Sequence, residues 1–161
     1  MNCMFKWLNK KMPPPKGPVV PAWFDIAMDE IGVKEVPGSG NNPRIVEYHQ
    51  ATSLKATSDL VPWCASFICW TLNAGGAKSS GSAAAQSYLK WGKPVTLDQA
   101  RHGDVVCLTR PGKSWSGHVG YYYAHDKDAI SLLGGNQSNE VNITAYPMSR
   151  LMGIRRANET I

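Results

Sequence analysis

Apolar residues recur along this chain in two successive rhythms, a helical one first and a β one second. Trp23, Ile26, Ala27 and Ile31 fall at helical spacing, and Gly32 closes that segment. The run Pro37-Gly38-Ser39-Gly40-Asn41-Asn42-Pro43 reads as a turn-rich loop, after which Ile45, Tyr48 and His49 belong to a second short helix. Pro62 marks the start of a third helix over 63–75, which Gly75-Gly76 terminates. A small-residue segment from Ser79 to Ala85 leads into another short helix through Leu89 and Trp91. Beyond Pro94 the pattern becomes short runs, Val105–Leu108, Val119–Tyr123, Ala129–Leu133, Val141–Ala145 and Leu151–Arg155, each bounded by Gly, Pro, Asp or Asn. Strands set that closely leave no room for crossover helices. The order of elements therefore predicts an α+β fold, with N-terminal helices packed on a C-terminal antiparallel β-sheet.

Composition narrows the picture. The 161 residues suit one domain, and 43% hydrophobic with 18% charged residues is enough apolar material for a core. No apolar run reaches the length needed to cross a bilayer. The formal charge of +5 is unevenly distributed: Lys6, Lys10, Lys11 and Lys16 stand in the first 20 residues with no acid among them. The rest is nearly neutral, which argues against a nucleic-acid groove. Residues 1–22 thus read as a basic, proline-rich leader and residues 23–157 as the folded domain. Pro13-Pro14-Pro15, Pro18 and Pro21 make the leader's second half a stiff connector. Met1, Met4, Phe5, Leu8 and Met12 lie near helical spacing, so its first half is a candidate for contact with an anionic membrane, a floppy tail being the alternative. The leader lacks the continuous apolar stretch and small-residue cleavage site of an export signal. Synthesis in the cytoplasm is expected, with help needed for any journey further. The chain is read as a monomer.

Three segments carry candidate chemistry. The cysteines, at 3, 64, 69 and 107, form no CxxC and no metal-ligand spacing, so no metal or cofactor is expected. Cys64, in Pro62-Trp63-Cys64-Ala65-Ser66-Phe67, falls in the first turn of the third helix, where backbone N–H groups and the helix dipole favour a thiolate. It also opens an apolar face, so a buried structural cysteine is the competing interpretation. Cys69, about 140° further round the helix, faces elsewhere. His118, in Ser116-Gly117-His118-Val119-Gly120, opens a strand between two glycines and is a candidate general base. His49, His102 and His125 are weaker candidates. A hairpin returning from His118 brings Leu133-Gly134-Gly135-Asn136-Gln137 back beside it, where a polar side chain can fix the imidazole tautomer. Asn136 is the residue chosen for that role, with Gln137 as the alternative orienter or an oxyanion donor. Hairpin register decides between them. Trp63, Tyr88, Trp91 and Trp115 are aromatic residues available to line a substrate groove.

Trp-Cys at a helix start, Gly-His at a strand and a polar residue ending the next strand resemble the CHAP and NlpC/P60 cysteine peptidase superfamily. Further matching stretches are Ile31-Gly32-Val33-Lys34-Glu35, Asn42-Pro43-Arg44-Ile45, Thr57 through Ala65, Gly81-Ser82-Ala83 and Gly103-Asp104-Val105-Val106. In this order they are similar to a subfamily of phage and bacterial proteins, over Trp23 to Arg156. The resemblance implies a papain-like fold and hydrolysis of an amide bond in peptidoglycan, most like a phage endolysin. By residue it implies Cys64 as nucleophile, His118 as base and Asn136 as orienter. Gly134 departs from the pattern, since many CHAP domains carry a glutamate there. No Asp-rich loop matches the calcium site of some relatives. An antibacterial effector with the same chemistry and a non-catalytic wall-binding module are the alternatives.

Overall fold

The computed structural model describes residues 18–158, so residues 1–17 of the expected leader lie outside the described residues. Helix α1 (Ala22–Asp29) begins one residue inside the boundary expected for the leader. It is followed by α2 (Pro43–His49) and α3 (Cys64–Ala74). A short 3-10 helix (Ala85–Lys90) then leads into six strands: β1 (Lys93–Val95), β2 (Val105–Arg110), β3 (Lys113–His125), β4 (Ala129–Gln137), β5 (Glu140–Pro147) and β6 (Leu151–Arg156). They form one sheet in the order β1-β6-β2-β3-β4-β5, every neighbouring pair antiparallel. The α+β architecture is thus as the spacing of elements predicts. None of the described helices is long and apolar enough to cross a membrane.

Local chemistry fixes the helix ends. Asn42 caps α2 by accepting from the Arg44 N–H at 2.9 Å, and Pro43 occupies the first turn, where a missing donor costs nothing. Past α3, Gly76 takes a φ of +84°, and the Gly75 and Ala77 N–H groups bond back to Thr71 and Leu72. Four polar groups that could trouble the interior are paired: the Thr71 and Tyr121 hydroxyls lie 2.7 Å apart, and the Ser66 hydroxyl meets His49 Nδ1 at 2.8 Å.

Strand alternation sorts the sheet into two faces. Cys107, Val119, Tyr121 and Leu133 face the helices, packing with Phe24, Tyr48, Trp63, Phe67 and Leu72. Val106, Leu108, Ile130, Leu132 and Ile154 form a second cluster with Tyr146 and Leu151. Helix α3 is buried nearly all round, because α1 and α2 cover what the sheet does not. Its hydrophobicity on several faces reflects that central position. Glu30 ties α1 to α2: it pairs with the Arg44 guanidinium through two bonds of 2.9 and 3.0 Å and accepts from the Tyr48 hydroxyl.

Several boundaries differ from the sequence expectation. Strand β1 went unforeseen because Pro94 weakens its pattern, but an edge strand tolerates a residue without an N–H. Strand β3 starts at Lys113, so His118 lies within a strand instead of opening one. Gly134 and Gly135 lie inside β4, and the turn comes at Ser138-Asn139.

Candidate active site

Cys64 is the first residue of α3 and lies almost wholly buried, 5% exposed, at the base of a cleft of about 230 Å³. Arg110, Trp115, Ser116 and Gly117 form part of its lining. A wider, shallower depression of about 520 Å³ adjoins it, sharing Gln86, Arg110 and Ser116 and running along the β2–β3 turn. Another hollow, of about 460 Å³, lies by Gly76 and Trp91 at the far end of α3 and holds none of the candidate catalytic groups.

The sulfur's environment differs from the expectation of a dipole-stabilised thiolate. Burial pushes the Cys64 thiol above its ordinary pKa, and the backbone N–H groups of Val119 and Ala65 and the charge of Arg110 pull it only part of the way back. The resting group is therefore a neutral thiol. Val119 follows His118 in β3, so the helix start and the strand meet at the nucleophile candidate.

His118 is 4% exposed, and burial pushes its pKa down to about 4, with Arg110 and Arg150 acting in the same direction and the Gln137 hydrogen bond opposing them. Near neutral pH it is an uncharged imidazole able to accept a proton. Its tautomer follows from the network around it. Gln137 Nε2 donates to the Leu132 carbonyl at 3.2 Å, the Asn142 carbonyl at 2.8 Å and Asn142 Oδ1 at 3.0 Å. That leaves Gln137 Oε1 as the atom 3.0 Å from His118 Nε2. An amide oxygen can only accept, so Nε2 carries the hydrogen and Nδ1 keeps the lone pair. The Tyr146 hydroxyl, 3.2 Å from Nε2, shares that donor from β5.

The hydrogen bond expected of Asn136 is thus made by Gln137. The cause is a β-bulge. Gly134 pairs with Asn142 and Gln137 with Glu140, so three steps along β4 oppose two along β5. Asn136 absorbs the extra residue in a left-handed conformation, φ +56°, and Gln137 takes the position beside His118. Pairing of β3 with β4 ends at Tyr121 and Leu133. Gly135 lies against α3 there: a Cβ on it would stand 2.6 Å from the Trp63 ring and 2.8 Å from Phe67.

The aromatic candidates divide sharply. Trp115 is 77% exposed at the cleft, with the Lys113 ammonium 5.6 Å from its ring centroid. Trp63 and Tyr88 cannot line a groove because both are fully buried; Trp63 Nε1 donates to Glu35 at 2.9 Å, and the Tyr88 hydroxyl is 3.2 Å from the Cys69 sulfur. Trp91 stands by the remote hollow. Cys69 and Cys107 are buried free thiols, Cys69 turned toward the 3-10 helix. His49 is a buried structural group, His102 stacks between Phe24 and Tyr123, and His125 pairs with the Tyr122 hydroxyl. Among the described residues no group of three or more His, Cys, Asp or Glu side chains could hold a metal ion.

Sequence reading missed Tyr146, Asn142, Arg110 and Arg150. Alternation along β5 puts Asn142, Thr144 and Tyr146 on one face, but the run Val141–Ala145 read from the sequence stops one residue short of Tyr146.

No protein-family model matches the chain, and no curated protein matches it. Among solved structures, a protein of the NLP/P60 family similar to lipoprotein, from Staphylococcus aureus subsp. aureus Mu50, superposes with a TM-score of 0.51 at 18% identity, over 86% of this chain and 41% of that one. An NlpC/P60 family protein from Bacillus cereus ATCC 10987 gives 0.43 at 17% identity, over 58% of this chain and 30% of the other. The chain spans less than half the length of either, and at these identities the likeness is one of fold.

Proposed function

We propose that this protein is a cysteine hydrolase that cuts an amide bond of peptidoglycan, with Cys64 as nucleophile, His118 as general base and acid, and Gln137 as the residue that orients the imidazole. The observation that carries the reading is the fixed tautomer of His118: Gln137 holds the hydrogen on Nε2, which frees Nδ1 to take a proton from a thiol. The NlpC/P60-like fold supports it, as do the helix-start position of Cys64 and the cleft above it.

The chemistry follows from neutral partners. As the sulfur attacks the carbonyl carbon, His118 Nδ1 removes the thiol proton, and the C=O π pair moves onto oxygen. Backbone N–H groups at the start of α3, that of Cys64 first among them, face the developing oxyanion. The imidazolium then gives its proton to the departing amine as the C–N bond breaks, leaving a thioester. Water, deprotonated by the same nitrogen, attacks the thioester, and the returning proton restores the thiol. A neutral resting pair needs no separated charges in a buried setting, which suits a sulfur with so little exposure.

The resemblance to phage and bacterial wall-cutting domains favours lysis from within the cell as the setting, reached after release or delivery across the membrane. Incubating the protein with purified sacculi and identifying the released fragments by mass spectrometry tests the reading and assigns the bond, endopeptidase or amidase. Release that depends on Cys64 is the expected result. Equal release by a Cys64→Ala protein, or none by the native one, would overturn it.

A further inference from the structure

Beside Cys64 stands a cation that nothing in its surroundings explains. Arg110 ends β2 half-buried, next to a register shift at Thr109/Arg110, and lines both the Cys64 cleft and the adjoining depression. Bulges of this kind re-aim a side chain. Among the described residues the ion pairs are Arg44 with Glu30 and Glu47, and Arg156 with Asp104; Arg110 has none. Neither depression is lined by an acidic residue. The charges near it have the same sign: Lys113 lies over Trp115, and Arg150 stacks on Tyr146 at 4.9 Å while donating to the Thr109 carbonyl. Like charges gathered at a cleft without a counter-ion are unfavourable in the empty protein and become favourable when an anion arrives.

We infer that Arg110 is the anchor for a free carboxylate of the substrate, held in the Cys64 cleft next to the scissile amide, so that the protein selects acidic peptides over their amidated counterparts. This rests on the hydrolase reading for its substrate class. A planar guanidinium engages a carboxylate through two parallel bonds, which gives direction as well as attraction. Lys113 and Arg150 add to the field without requiring contact, and Trp115 supplies an exposed apolar wall. The proximity of Arg110 to the chemistry is independently visible in its effect on Cys64 and His118, whose proton affinities it lowers.

The test uses two synthetic stem peptides, identical except that the carboxylate next to the scissile amide is free in one and amidated in the other. The native protein should use the acidic peptide with a kcat/KM about 10- to 100-fold higher, the range expected for a charge-assisted pair, and mainly through KM. Arg110→Gln should remove that preference by slowing the acidic peptide far more than the amidated one, and Arg110→Lys should restore part of it. Equal use of the two peptides by the native protein, or an equal loss on both in Arg110→Gln, would overturn the inference. Calorimetric titration of the Cys64→Ala protein with the same peptides separates the two proposals. Carboxylate- and Arg110-dependent binding without turnover by the native protein would refute the hydrolase and keep the anchor. Turnover without discrimination would do the reverse. Arg110-dependent binding of inorganic phosphate, with no discrimination between the two peptides, would also reject the anchor, in favour of a phosphate site.

Discussion

Acidification should weaken this fold, with His118 as the largest resolved contributor. His118 has a folded pKa of about 4 against an ordinary 6.5, with burial as the main cause. Between those two values the unfolded chain binds a proton that the folded protein excludes. Stability from this group is therefore complete above about pH 6.5, declines as pH falls through the unfolded pKa, and is lost by about pH 4. A depression from 6.5 to about 4, at about 1.4 kcal/mol per pH unit, amounts to about 3 kcal/mol, a large part of a small domain's total. His49, also buried and also lowered, contributes in the same direction, so the native protein alone does not isolate the effect. The measurement is urea unfolding followed by circular dichroism from about pH 7 to pH 4, on the native chain and on His118→Gln. The native chain should lose about 3 kcal/mol more than the variant across that range, whatever their difference at neutral pH. Parallel curves would show that His118 titrates normally and that its enclosure is misjudged. The same shift sets the acid limb of kcat/KM, which should fall near pH 4, where the imidazole becomes protonated, and not near 6.5.

Other outcomes follow from the site. Cys64→Ala should reduce wall hydrolysis by about a thousand-fold or more, while Cys69→Ala and Cys107→Ala remain active, measured as turbidity loss of purified sacculi. Gln137→Ala should lower kcat by about ten- to a thousand-fold, and Asn136→Gly should keep activity while raising stability by up to about 1 kcal/mol, since glycine adopts positive φ freely; the opposite ranking would mean that the register of β4 is wrong. Gly135→Ala should destabilise by about 1–3 kcal/mol, read by thermal melting, because its methyl would press into Trp63 and Phe67. Deleting residues 1–17 should leave cleavage of soluble wall peptides unchanged and weaken binding to anionic vesicles at low salt; equal vesicle binding would discard a membrane role for the leader.

The helix–sheet order was legible because it rests on periodicity, which burial enforces directly. Cys64 at a helix start and His118 between glycines were legible as residue types with a local setting. Asn136 against Gln137 was not, since a one-residue bulge inverts which of two adjacent side chains faces the imidazole, and no local propensity marks it. The burial of Trp63 and Tyr88 was equally hidden: each indole or phenol satisfies its polar atom with a partner distant in sequence, Glu35 for Trp63 and Cys69 for Tyr88. The thiol's raised pKa depends on enclosure by β3, which the helix dipole alone does not foretell.

The extra residue in β4 makes the end of that strand a question of length more than of identity. The Ser138-Asn139 turn carries two consecutive left-handed residues, φ +53° and +65°, a geometry that many polar residues and glycine can supply. Exchanges within it should be absorbed. Adding or removing a single residue between Gly134 and Glu140 would instead rotate Gln137 away from His118 and carry its anchorage on Asn142 with it. Among descendants of this chain, variation here should accumulate as substitutions, while the spacing from Gly134 to Glu140 stays constant.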